Sequence, residues 1–149
     1  MSHSLSLVNV HLVFGIKRQA PLIKPDIRPE LFSYMGGLLE ISGCLPVAIN
    51  GPGDHVHALF TLGKNISISE VVEILKRKSS KWIKSAHQDY ASFYWQRGYG
   101  VFSVSFPKLE HVKNYIINQE RRHNVCSFEQ ERTSFLTAHG LTKSDWVLD

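Results

Sequence analysis

Four short runs rich in β-branched and aromatic residues are separated by two helix-length stretches. This order restricts the chain more than any other feature of its 149 residues. The first run, LSLVNVHLVFGI (5–16), partly alternates and reads as a strand. Pro21, Pro25 and Pro29 punctuate 17–29 as a loop, and 30–42 (ELFSYMGGLLEIS) reads as a helix stopped near Gly43. Residues 44–50 (CLPVAIN) and 55–62 (HVHALFTL) are two strands around the break GPGD, which predicts a hairpin. Ser67 and Glu70 fit a capping box that opens a second helix, with Val71, Ile74, Leu75 and Trp82 on one stripe. YGVFSVSF (99–106) is the fourth strand, Pro107 suits the first turn of a helix running to about Arg122, and 127–139 predicts a last helix ended by Gly140.

The order β-α-β-β-α-β-α predicts an α+β, ferredoxin-like split βαβ fold. Its antiparallel sheet carries helices on one face, and a C-terminal helix is added. The expected organisation is one domain over 1–149, with a core of about 5–123 and a helical extension of about 124–149. No apolar run is long enough to span a bilayer, so no membrane association is expected. The basic residues of the N-terminus follow its apolar stretch, the reverse of a secretory signal, and a cytoplasmic protein with reduced Cys44 and Cys126 is expected.

Charge is unevenly placed. Residues 76–122 hold ten basic and three acidic residues, whereas the whole chain is only +4. Trp82, Tyr90, Phe93, Tyr94, Trp95, Tyr99, Phe102 and Phe106 interleave with them. Basic groups neutralise phosphates and aromatic faces stack on unpaired bases, so this segment is as consistent with nucleic acid binding as with a solvated face over an ordinary core.

Four side chains carry a possible chemistry. His55 and His57 are two apart on a strand, so both imidazoles leave the same face, where they can converge on a cation; two surface histidines are the plain alternative. Tyr115 and Gln119 are one turn apart on a helix, on the face that also holds Val112 and Ile116. An amide within an apolar stripe needs a partner, whereas most helical tyrosines are ordinary core residues. If the pairs meet, a metal held by His55, His57 and Gln119 would polarise a phosphate and Tyr115 would attack it. Asp54 is placed to orient His55, and His11, on a central strand, reads first as a satisfied core histidine.

The segments GDHVHALF (53–60), SISEVVEILKRKSSKWI (67–83), YWQRGYGVFSVS (94–105) and VKNYIINQERRH (112–123) occur in an order that resembles the single-tyrosine HUH transposases, and within them the IS-two-hundred type. The resemblance covers about 5–123. It implies a transposase that cleaves and rejoins single-stranded DNA at element ends through a 5′-phosphotyrosine, using Mg2+ or Mn2+. Tyr115 would be the nucleophile and His55, His57 and Gln119 the metal ligands. It also implies recognition of subterminal hairpins, action at the nucleoid, and a homodimer whose sites are shared between subunits. Lys76, Arg77, Lys81, Lys84, Arg121 and Arg122 are the DNA-contact candidates by charge. The alternatives are a non-catalytic single-strand-binding module that stacks bases on sheet aromatics, and a zinc hydrolase, for which no third ligand at motif spacing is evident.

Overall fold

The computed structural model describes residues 3–119, 121 and 126–148. Strands β1 (Asn9–Gly15), β2 (Leu45–Asn50), β3 (His55–Thr61) and β4 (Gly100–Val104) form one antiparallel sheet in the order β2-β3-β1-β4. Helices α1 (Arg28–Ile41) and α2 (Ile68–Ala86) make the two crossovers, so the ferredoxin-like arrangement expected from the element order is the one adopted. The capping box at Ser67 and Glu70 is formed as read from the sequence. Helix α3 (Leu109–Ile117), preceded by a 3-10 turn at Phe106–Lys108, and helix α4 (Phe128–Ala138) complete the described fold. No helix among the described residues is long and apolar enough to cross a membrane.

Alternation along the strands divides the sheet into two faces. Val10, Leu12 and Phe14 of β1 and Val56, Ala58 and Phe60 of β3 point to one face. There they form the main core with Leu31, Met35 and Leu39 of α1 and Val71, Leu75 and Ile83 of α2. Asn9, His11, Val13 and Gly15, with His55 and His57, point to the other. All seven residues of β1 are buried, so that second face is covered as well. It is covered by α3, α4 and the C-terminal segment: Val13 and Phe102 pack with Phe128, Leu136 and Trp146.

Two local devices seat this second layer. Gly100 of β4 lies under the Trp146 ring, where an added Cβ would come within 2.8 Å of the indole. Its small size therefore makes room for a ring. Asn50, the last residue of β2 and the register partner of His57, donates from Nδ2 to the carbonyls of Ile116 and Ile117, 3.0 Å each. These carbonyls belong to the last turn of α3, whose orphan acceptors need donors from outside the helix. The predicted helix from Pro107 to about Arg122 is thus interrupted: α3 is capped at Asn118, whose own side chain turns back to the Asn114 carbonyl.

Both devices are open to measurement. Gly100→Ala is expected to destabilise the fold by about 1–3 kcal/mol through overpacking, and Trp146→Ala by about 3 kcal/mol. In urea unfolding the double variant should match Trp146→Ala alone, because the alanine methyl then has nothing to strike; additive losses would disprove the contact. Asn50→Ala is expected to lower stability by about 1–2 kcal/mol, leaving two helix carbonyls with fewer donors. An unchanged urea midpoint would show that this tie does not hold α3 in place.

Candidate active site

Side-chain alternation on β3 sends Val56 into the main core and both flanking imidazoles to the covered face, as expected. His55 and His57 are almost fully buried, at 1% and 0% exposure. Each ring nitrogen is engaged. His55 Nδ1 lies 2.6 Å from Asp54 Oδ1, and His57 Nδ1 lies 2.7 Å from His11 Nε2. These outer contacts fix both rings so that their Nε2 atoms face one point, which is how metal-ligating histidines are oriented. His11 therefore belongs to the site, as the support of His57.

The point they face is occupied by a carboxylate that the sequence reading missed. Glu131 of α4 places Oε1 2.8 Å from His55 Nε2 and 2.9 Å from His57 Nε2. Its Oε2 accepts a hydrogen bond from the Tyr115 hydroxyl and another, at 3.1 Å, from the Gln119 amide. The two predicted pairs thus meet within one chain, joined by one buried carboxylate. Glu131 falls on the buried stripe of α4 set by Phe128, Phe135 and Leu136. An acid within an apolar stripe is the same signal that singled out Gln119, and it was legible at 131 too.

Electrostatics follow from burial and pairing. Burial works against the charge of Glu131, but its bonds to His55 and His57 outweigh that and hold it ionised far below the usual carboxylate range. His55 is also disfavoured as a cation by burial, yet its bonds to Asp54 and Glu131 raise its pKa overall. Burial lowers the pKa of His57, and lowers that of His11 well below the ordinary imidazole value, with the neighbouring His57 charge adding to the effect. Lying between two carboxylates, His55 requires a proton or another cation at Nε2. His55, His57 and Glu131 offer one ligand atom each, all within 4.8 Å of one another, and can hold a metal ion.

Apolar packing closes the site. Gly15 opposes His55 in the β1–β3 register, and because it lacks a Cβ the Phe128 ring stacks on His55, with centroids 4.1 Å apart. Phe135 packs edge-on to His11 and Tyr115. Openings remain on both flanks of α4. A cavity of about 310 Å³ reaches Tyr115, His11 and Glu131 between α3 and α4. A cleft of about 670 Å³ runs past Asp54 and Phe128 and carries Arg18, Arg132 and Lys143. Since Phe102 is buried and the sheet covered, a binding module that stacks bases on open strands does not describe this surface.

The basic candidates are not gathered at the site. Those of α2 lie on the helix that packs against the opposite face of the sheet. Lys76 donates to the carbonyls of Gln96 and Gly98, Arg77 pairs with Glu73, and Lys84 sits 3.9 Å over the Tyr94 ring. Lys81 and Arg121 are exposed, and Arg122 lies outside the described residues. Charge counted along a sequence window does not distinguish the two faces of a sheet. The cleft that runs past Asp54 and Phe128 carries Arg18, Arg132 and Lys143, all outside that window.

The fold is similar to two solved structures. One, a candidate transposase from Deinococcus radiodurans R1, is 22% identical with a TM-score of 0.62, covering 80% of this chain and 95% of that one. The other, a REP-associated tyrosine transposase bound to a REP hairpin, is 14% identical with a TM-score of 0.59, covering all of this chain and 93% of that one. No curated protein sequence matches. The family described as "Transposase IS200 like" matches residues 4–119, a span holding His55, His57, Tyr115 and Gln119. On that match the chain belongs to the IS200-like transposase family.

Proposed function

We propose that the protein cleaves and rejoins single-stranded DNA by transesterification, with Tyr115 as nucleophile. The observation that carries this reading is the convergence of the Tyr115 hydroxyl, the Gln119 amide and the two imidazoles on a single carboxylate. It supports a site where a phenol, a cation and a phosphate meet. The donor set fits a divalent cation: two imidazole Nε2 atoms directed inward, which a cation would bind in place of their protons, rings fixed from behind by Asp54 and His11, and oxygen donors from the Gln119 amide and Glu131. His55, His57 and Gln119 would hold Mg2+ or Mn2+, as the resemblance implies. Bound there, the ion supplies Lewis-acid polarisation of a phosphate oxygen.

The protein's own groups do the rest. Glu131 Oε2 fixes the direction of the Tyr115 hydroxyl, and the edge of Phe135 limits rotation of the phenol ring. In the reaction the phenol O–H bond breaks and its oxygen bonds to phosphorus. The bond from phosphorus to the 3′ oxygen of the upstream nucleotide breaks, that oxygen takes up a proton to balance the one the phenol loses and leaves as a free 3′ hydroxyl, and the downstream strand stays on Tyr115 through its 5′ phosphate. One phosphoester replaces another, so the step is reversible and requires no nucleotide energy source. The openings flanking α4 supply approaches for an unpaired strand, and Arg18 and Lys143 favour a polyanion in the wider one. A hairpin beside the cleaved strand is the expected recognition element. The REP hairpin held by the similar transposase supports this, as does the resemblance to enzymes that read subterminal hairpins. The four groups meet within the one chain described, and a homodimer with shared sites is what the resemblance implies.

The reading is tested with the full chain and single-stranded oligonucleotides that carry a hairpin from palindromes flanking its gene. With Mg2+ or Mn2+, a protein–DNA adduct that resists denaturation is expected, together with a free 3′ hydroxyl. Tyr115→Phe should reduce the adduct by about 1,000-fold or more, because it removes the attacking atom itself. Chelation should abolish the adduct, and restored Mn2+ should return it. An adduct undiminished in Tyr115→Phe would rule out the assigned nucleophile, and one undiminished by chelation would rule out the metal.

A further inference from the structure

Glu131 stands outside the 4–119 span that matches the family. Its position therefore raises a question that the family pattern does not answer: a carboxylate at the focus of the site is either one of the ion's ligands or an occupant that must leave before the ion binds. We propose that Glu131 is a protein ligand of the cation, supplied by the C-terminal helix, and that its second oxygen ties the nucleophile to that ion. This rests on the metal-dependent reading above and specifies its ligand set.

Three observations carry the proposal. The first is spacing. Adjacent ligands of an octahedral ion with bonds of about 2.1 Å lie about 3.0 Å apart. Glu131 Oε1 is 2.8 and 2.9 Å from the two Nε2 atoms, and the three atoms lie within 4.8 Å of one another, close enough for one ion to bind all three. The second is donor chemistry. Mg2+ and Mn2+ favour oxygen, and two imidazoles with one amide are a neutral, nitrogen-rich set. Glu131 adds a hard, ionised oxygen, and the cation in turn balances a charge buried to 7% exposure. The third is how α4 is held. Phe128, Leu136 and Trp146 anchor it in the second core, Phe128 stacks on His55 itself, and the Arg132 guanidinium donates to the Trp146 carbonyl. A blocking segment that must withdraw would be expected to rest on fewer apolar anchors. Meanwhile Oε2 remains with the Tyr115 hydroxyl and the Gln119 amide, so one carboxylate would set the separation between nucleophile and ion.

The two roles give opposite results when Mn2+ binding to the DNA-free full chain is measured by calorimetry and by the electron paramagnetic resonance of free ion. Glu131→Gln keeps the shape and removes the charge. It should weaken Mn2+ binding about tenfold or more, the scale seen when support of a metal is lost. Glu129→Gln, on the exposed side of the same helix, should leave affinity unchanged. Equal or tighter binding by Glu131→Gln would overturn the proposal and make the carboxylate an occupant. A second measurement needs no variant. In wild-type crystals soaked in Mn2+, the anomalous peak should lie within bonding distance of a Glu131 oxygen. An ion held by the imidazoles with the carboxylate swung away would overturn the proposal even if Glu131→Gln does not fold. Absence of any Mn2+ binding by the wild type would remove the metal reading as a whole, and the Tyr115 adduct would report separately on the nucleophile.

Discussion

One buried carboxylate organises the covered face of this protein. An ionised group removed from water is tolerated only where nearly all of its lone pairs are engaged. Glu131 meets that condition with two imidazoles on one oxygen and a phenol and an amide on the other. The partners come from β3, from α3 and from the residue just beyond its cap, whereas the carboxylate comes from α4. Three stretches of chain distant in sequence are thereby fixed to one point. Deleting any partner would leave a buried charge short of a bond, so the cluster is coupled rather than a sum of independent pairs.

The sheet makes such a cluster possible by separating two kinds of packing. Its α1–α2 face carries the main apolar core. The other face carries His11, His55 and His57 among small and aromatic residues, and its cover is a mixture of ring stacking and hydrogen bonds. Two glycines on that face, Gly15 and Gly100, leave the space that Phe128 and Trp146 fill. The C-terminal segment is therefore part of the packing around the histidines, even though it lies beyond the residues that identify the family.

Local signals were readable wherever local physics decides. The capping box at Ser67 and the period-two placement of His55 and His57 follow from spacing, the ferredoxin-like arrangement follows from the element order, the amide of Gln119 needed a partner and has one in Glu131, and the structure agrees with each. Features set by tertiary contact were less legible. At the end of α3 the carbonyls of Ile116 and Ile117 accept from Asn50, 66 and 67 residues earlier, a contact that no local pattern announces. The basic window gathered residues of α2 that lie on the far side of the sheet and left out Arg18, Arg132 and Lys143 of the cleft. Glu131 was legible in principle, as an acid on the stripe of Phe128 and Leu136, but nothing in its spacing links it to a histidine pair 74 and 76 residues earlier.

The same contacts bear on how a site of this kind is assembled. The resemblance implies histidines and tyrosine brought together from two subunits, and in this structure the chain's own histidines and tyrosine meet at Glu131. Delivering Tyr115 to another copy would require α3 to give up the two Asn50 bonds at its C-terminal end and the bonds of Tyr115 and Gln119 to Glu131. Each is modest alone, at about 0.5–1.5 kcal/mol for neutral groups and up to about 3 kcal/mol where a charge takes part, but all four would break together and leave a buried carboxylate half-satisfied. An exchanged arrangement must therefore restore an equivalent set from the second chain. The two Asn50 bonds tie the tyrosine helix to the strand paired with the histidines, so a shared site would have to replace them as well.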